Sequence, residues 1–254
     1  MPAYLITLTL CLLLSHSNVN AQTQWRSSEQ QVTLIELYTS EGCSSCPPAD
    51  RWLGSWLNRD KLWQQIVPVA FHIDYWDSLG WVDRYAQAPF TLRQQRYQQL
   101  GHSRAIYTPA FMVNGQEWRG FFSRQSLPFN PPKLIGVLQA QLQAPLAHQQ
   151  TSQLLAHFTP LAASHGELTL HVALLGMNIV SPIKAGENKG RELQHNFVVL
   201  KYYQQHSALK QQGYQWLLPL SSSPEAQAIA LWVTEREQML PLQATGGWLK
   251  DEAI

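Results

Sequence analysis

The chain has 254 residues, 45% of them apolar and 11% aromatic. That is enough to bury a sizeable core, which excludes disorder as a global description, and the length favours two domains over one. Eighteen Lys and Arg against seventeen Asp and Glu leave a formal charge of +1, so composition offers no concentrated basic surface for nucleic acid.

In chain order, the first feature is the apolar run from Leu5 to Leu14, followed by a polar stretch and Val19-Asn20-Ala21. The run is too short to cross a bilayer, which needs roughly 20 apolar residues, and it reads as an export signal cut after Ala21. Residues 1–21 are therefore expected to be removed, leaving a periplasmic or secreted protein with no membrane segment. Cys11 leaves with the signal, so the mature chain keeps Cys43 and Cys46 alone. A disulfide this tight restrains almost no chain entropy. Its value is chemical.

Gln31 to Tyr38 is a β-branched, apolar strand broken by Thr39-Ser40-Glu41-Gly42. After Cys43-Ser44-Ser45-Cys46-Pro47-Pro48, the apolar residues Ala49, Trp52, Leu53, Trp56 and Leu57 recur at helical spacing. Ile66 to Ile73 is a second strand, Asp74 to Pro89 an aromatic-rich loop, and residues 90–100 a helix. Thr108 to Val113 and Gln116 to Arg119 flank Asn114-Gly115, a strong hairpin signal because both residues tolerate positive φ. Asn130-Pro131-Pro132 then predicts a helix burying Leu134, Ile135, Leu138 and Leu142. Two β-α-β crossovers in this order imply parallel pairing, with the hairpin as an antiparallel edge.

This order, with C-x-x-C on the turn into the first helix and Thr-Pro opening the third strand, resembles the thioredoxin fold. More narrowly, LIELYTSEGCSSCPPAD, PVAFHIDYWDSLGW, YTPAFMVNG and GENKGRELQHN resemble the secreted thioredoxin-like proteins of the "domain of unknown function 1223" family. The resemblance implies an α/β thioredoxin-like domain over residues 22–145. It also implies a cis-proline at Pro109 packed against the dithiol, leaving the Thr108 backbone free to pair with an extended substrate. A thiol with an ordinary pKa of ~8.5 supplies little thiolate at neutral pH, and a helix N-terminus would supply more. Cys43 is thus expected as nucleophile and Cys46 as the resolving thiol. Glu36, in the first strand, is either a proton relay for Cys46 or a plain structural partner. His72, Asp74 and Trp76 fall where ligands bind open α/β sheets and would line the site.

From about Thr151 the chain reads as short strands: Leu154–Phe158, Glu167–Leu175, His195–Tyr203, Tyr214–Leu218, Ala228–Thr234 and Glu237–Leu242. These predict a smaller β-rich, sandwich-like domain over residues 146–254. It carries no Cys, no metal-ligand spacing and no phosphate loop, and no cofactor is expected. Gly186 to Gly190 reads as a turn and His195 as structural. The leading expectation is an exported thiol-disulfide oxidoreductase acting on protein thiols or disulfides, with a redox partner protein. A Cu(I) carrier, with a histidine such as His72 completing a Cys43–Cys46 site, and a non-catalytic interaction protein with a structural disulfide are the alternatives.

Overall fold

The computed structural model describes residues 23–128, 131, 133–143, 151–162, 166–221 and 223–249. The export signal expected at 1–21 and the helix cap expected at Asn130 lie outside them.

The elements run β1 (Thr23–Arg26), β2 (Thr33–Thr39), α1 (Pro47–Gly54), β3 (Ile66–His72), α2 (Ala88–Gln99), β4 (Ala110–Val113), β5 (Gln116–Glu117), β6 (Gly136–Gln143), β7 (Thr151–Pro160), β8 (Leu168–Gly176), β9 (Ile179–Pro182), β10 (Glu192–His195), β11 (Val198–Ser207), β12 (Tyr214–Ser221), β13 (Ala228–Glu235) and β14 (Pro241–Trp248). One sheet has the order β14-β13-β8-β11-β3-β2-β4-β5, a second the order β1-β6-β7-β12, and β9 and β10 form a separate two-stranded ribbon.

This overturns the α/β thioredoxin-like class expected for residues 22–145. The described residues form fourteen strands, two α-helices and two short 3-10 turns, joined by loops. Two elements of the expectation fail. The crossover after α2 does not yield a parallel strand, because β4 pairs antiparallel with β2, whereas β2 and β3 run parallel. The helix expected from Asn130 is the strand β6: Leu138, Ala140 and Leu142 face inward and Gln139 and Gln143 outward. A four-residue step such as Leu138 to Leu142 fits both a period of 2 and one of 3.6, and the intervening Ala140 decides for the strand. The sheets also run through both halves of the chain. β11 joins β3 in parallel at Val198 and Ala70, and β6 pairs with β7 across the boundary expected at 145.

Burial follows from this arrangement. Every residue of β2, β3 and β8 is buried, as expected of strands covered on both faces. One face of the long sheet packs Tyr38, Phe71 and Trp232 on the side of Phe90 and Tyr97 of α2; Phe111, opposite Leu37, lies on the other face against Trp52 of α1. The other face of β8 and β13 (Leu170, Val172, Leu231, Val233) packs against the alternating inner residues of β6, β7 and β12, such as Leu138, Phe158 and Trp216. The long sheet is therefore the middle layer of three. The two ends of the chain are tied together by Gln243 of β14, which is fully buried. Its Nε2 donates to the carbonyls of Ser28, Gln30 and Gly136, and its Oε1 accepts from the amides of Val32 and Ala244.

Candidate functional site at the Cys43–Cys46 turn

The carboxyl ends of β2 and β3 lie side by side, with Thr39 opposite His72. The chain leaves β2 into a tight turn in which Cys43 N–H donates to Ser40 C=O (3.2 Å) and Cys46 N–H to Cys43 C=O (3.2 Å). Cys43 and Cys46 are joined as a disulfide, with Cα atoms 5.4 Å apart. Cys46 is the N-cap of α1, and Pro47 and Pro48 occupy its first turn. Proline suits that position because its missing N–H would have no helical partner. The first available amides, of Ala49 and Asp50, both return to Cys46 C=O. The helix end therefore presents fewer free N–H groups to a thiolate than a proline-free start would.

Both cysteines have a relative exposure of 0%, while Ser44 and Ser45 between them are exposed. The Ser45 hydroxyl lies 3.3 Å from Cys43 Sγ. The sulfur expected to act as nucleophile is covered in this oxidised state.

Thr108–Pro109 is a cis peptide, and Trp76 connects it to the cysteine turn. The Trp76 indole N–H donates to Thr108 Oγ1 (2.7 Å), and its Cβ stands 3.2 Å from where a Cβ on Gly42 would be. Glycine at 42 lets the turn pass Trp76 this closely. The strand-end loop is held by Asp74, whose carboxylate accepts from Thr91 Oγ1 (2.6 Å). Gln94 donates to Tyr107 C=O (2.7 Å), anchoring the segment before Thr108 to α2.

Beneath the turn lies a buried polar cluster that sequence reasoning largely missed. The His72 Nδ1–H donates to Asp83 Oδ2 (2.6 Å), and the same carboxylate accepts from the amides of Glu41 and Tyr85. Burial alone would lower the His72 pKa, but the Asp83 charge and hydrogen bond outweigh it and push it up to about 8. For Asp83 burial raises and His72 lowers, with a net fall below the ordinary carboxylate value. His195, from β10, meets His72 edge-on at 5.0 Å and stands 3.6 Å from Glu41 Oε1 and 3.7 Å from Asp50 Oδ2. These are ion-pair rather than hydrogen-bond distances. The Glu41 pKa is lowered: burial works against this, while His195, Ser181 and the Trp81 indole hold the charged form. Asp50 is raised, chiefly by burial, despite His195, His72 and a bond from Thr39 Oγ1. The only advance signal for Glu41, Asp50, Asp83 and His195 was polarity in apolar surroundings.

Glu36 is elsewhere. Its carboxylate accepts from Arg93 Nε (2.8 Å) and a terminal nitrogen (2.9 Å), from Tyr38 OH (2.9 Å) and from Tyr97 OH. Arg93 in turn lies over the rings of Phe71, Tyr97, Tyr202 and Trp232 at 5.3–5.6 Å. Of the two roles open to Glu36, this geometry is that of the structural partner. As for metals, His72 gives its Nδ1 to Asp83. No group of three or more His, Cys, Asp or Glu among the described residues has a metal-holding arrangement.

The model of the protein family of unknown function DUF1223 matches residues 34–234. The chain belongs to the DUF1223 family. That span takes in the cysteine turn, the His72 and Asp83 pair, Thr108–Pro109 and His195. A search of curated proteins finds no match for this DUF1223 chain. Among solved structures it is similar to an Agrobacterium tumefaciens protein determined by X-ray crystallography as a structural genomics target, at 22% identity and a TM-score of 0.52, covering 87% of this chain and 95% of that one. It is also similar to HBP35 of Porphyromonas gingivalis, at 14% identity and a TM-score of 0.57, covering 88% of this chain and 76% of that one. At these identities the likeness concerns the fold of the DUF1223 chain alone.

Proposed function

We propose that this protein carries out thiol-disulfide exchange through Cys43 and Cys46, on protein thiols or disulfides, in the periplasm or outside the cell. The observation that carries the reading is a disulfide closing a turn of only three residues' separation. Closing so short a loop contributes little to stability, since the entropic gain grows with loop length. A disulfide there is better suited to being made and broken. Persisting disulfides also belong to oxidising compartments, which fits an exported chain.

In the forward step a client thiolate attacks Cys43 Sγ. A mixed disulfide forms as the Cys43–Cys46 bond breaks, and the electron pair leaves on Cys46 Sγ. A second client thiolate attacking the client sulfur of that mixed disulfide releases Cys43, so two client thiols become one disulfide and the protein becomes the dithiol. The reverse sequence reduces a client disulfide.

The complete burial of Cys43 favours a second reading, a permanently oxidised pair that fixes the turn of an interaction protein. A Cys46→Ser variant, purified from its own host compartment, separates the two. Under exchange it accumulates mixed disulfides through Cys43 that dithiothreitol releases. Absence of such adducts, with a disulfide of very low reduction potential in the parent, would establish the structural reading.

A further inference from the structure

The ribbon β9–β10 belongs to neither large sheet, yet its tip lies across the cysteine turn. Asn188, fully buried, donates from Nδ2 to the carbonyls of Glu41 (2.8 Å) and Cys43 (2.9 Å). Its Oδ1 accepts from Arg191 (2.9 Å), which fixes the amide's orientation. Glu187, exposed at the same tip, accepts the Ser44 N–H (3.0 Å). His195, at the base of the ribbon, reaches the Glu41 and Asp50 carboxylates.

We propose that the 183–191 tip is a latch over the disulfide: Asn188 and Glu187 hold the backbone of the turn, and an attacking thiol reaches Cys43 only when the tip lifts. The assignment deepens the exchange reading and rests on it for its biological use, though its test does not.

Three features favour movement of this segment, although Ile183 and Asn188 are buried and Gly186 lies against Trp81. A two-stranded ribbon with four-residue strands has little stability of its own. Gly186 (φ +69°) and Gly190 (φ +80°) bracket the two gripping residues, and a side chain at 190 would meet nothing within 4 Å. The grip itself is three hydrogen bonds to backbone groups of residues 41–44. The latch also places a carboxylate on an amide of the very turn that would otherwise help to solvate a thiolate. Closure therefore opposes both access to Cys43 and ionisation of its reduced form.

The test is the rate at which dithiothreitol reduces Cys43–Cys46 in the folded full-length protein, followed by counting free thiols, with far-UV circular dichroism confirming the fold. The step is balanced: the reagent's two thiols become its cyclic disulfide and the protein gains two thiols. Asn188→Ala removes two hydrogen bonds from the closed state and is expected to accelerate reduction roughly tenfold. Glu187→Gln removes the charge at an exposed position without threatening the fold and is expected to accelerate it severalfold. Lys189→Ala, at the same tip but with its side chain outside the grip, serves as the unchanged control. Equal rates for the parent, Asn188→Ala and Glu187→Gln would overturn the latch. Should Asn188→Ala unfold, Glu187→Gln decides alone. Acceleration in these variants together with an empty Cys46→Ser trap would keep the latch and reject client exchange; trapped clients with unchanged rates would do the opposite.

Discussion

Replacing Arg93 by Met leaves the Glu36 carboxylate in the core with only Tyr38 and Tyr97 to solvate it. The pair is almost wholly buried, with side-chain exposures of 6% and 1%. Two hydrogen bonds from the guanidinium are lost, together with its contact to Tyr202 OH (3.1 Å). Breaking a buried pair on one side costs about 3–5 kcal/mol, because the remaining charge is stranded. For a chain of this size each kcal/mol moves Tm by roughly 2–4 °C, so Arg93→Met should melt roughly 6–20 °C below the parent. Removing both charges, as Glu36→Leu with Arg93→Met, should recover most of that loss, since apolar groups of similar volume can replace a buried pair at little cost. Thermal denaturation followed by circular dichroism, on the parent, both singles and the double, closes the cycle. A double variant no more stable than Arg93→Met would refute the reasoning. The same double variant tests function: a structural Glu36 predicts that dithiothreitol reduction and client trapping survive, whereas a relay to Cys46 predicts that they fail.

Two further predictions concern stability. His72 has its pKa raised to about 8 by Asp83, so its contribution is complete below the unfolded value of ~6.5 and is lost as pH rises through about 8. Denaturant midpoints should therefore fall between roughly pH 6.5 and 9, and His72→Gln should flatten that slope; an unchanged slope would remove the charged pair. Gln243→Met strands the Gly136 carbonyl and the Val32 and Ala244 amides at the seam between the chain ends, while the Ser28 and Gln30 carbonyls keep the Ser27 and Ser28 hydroxyls. At about 1–3 kcal/mol for an unsatisfied buried group, several kcal/mol of stability should go, read as a shifted denaturation midpoint.

Local patterning made much of the chain readable in advance. The apolar runs of β2 and β3, the Asn-Gly hairpin and the alternation in β8 all announce their elements. The assembly was not readable, because strand order depends on which edges meet in space. Nothing within Ile66–His72 announces that its free edge will accept β11, from more than a hundred residues later. At the site, cysteine spacing singled out Cys43 and Cys46 without help. Asn188 and His195 could not be placed, because a turn-forming Asn and a strand-end His look ordinary until the ribbon folds back onto α1. Glu36 stayed open between two roles for a related reason: an acid in a buried strand signals a partner, and only the position of α2 reveals that the partner is Arg93.

The separation of the latch from the turn it covers bears on how the protein matures. Asn188 follows Cys43 by 145 residues. At about 5–20 residues per second, a chain delivered from its N-terminus presents its two thiols for roughly 7–30 seconds before the segment that will cover them has arrived. An oxidant present in that interval would meet the pair uncovered. Once the ribbon docks, only reagents able to wait for an opening can undo the bond.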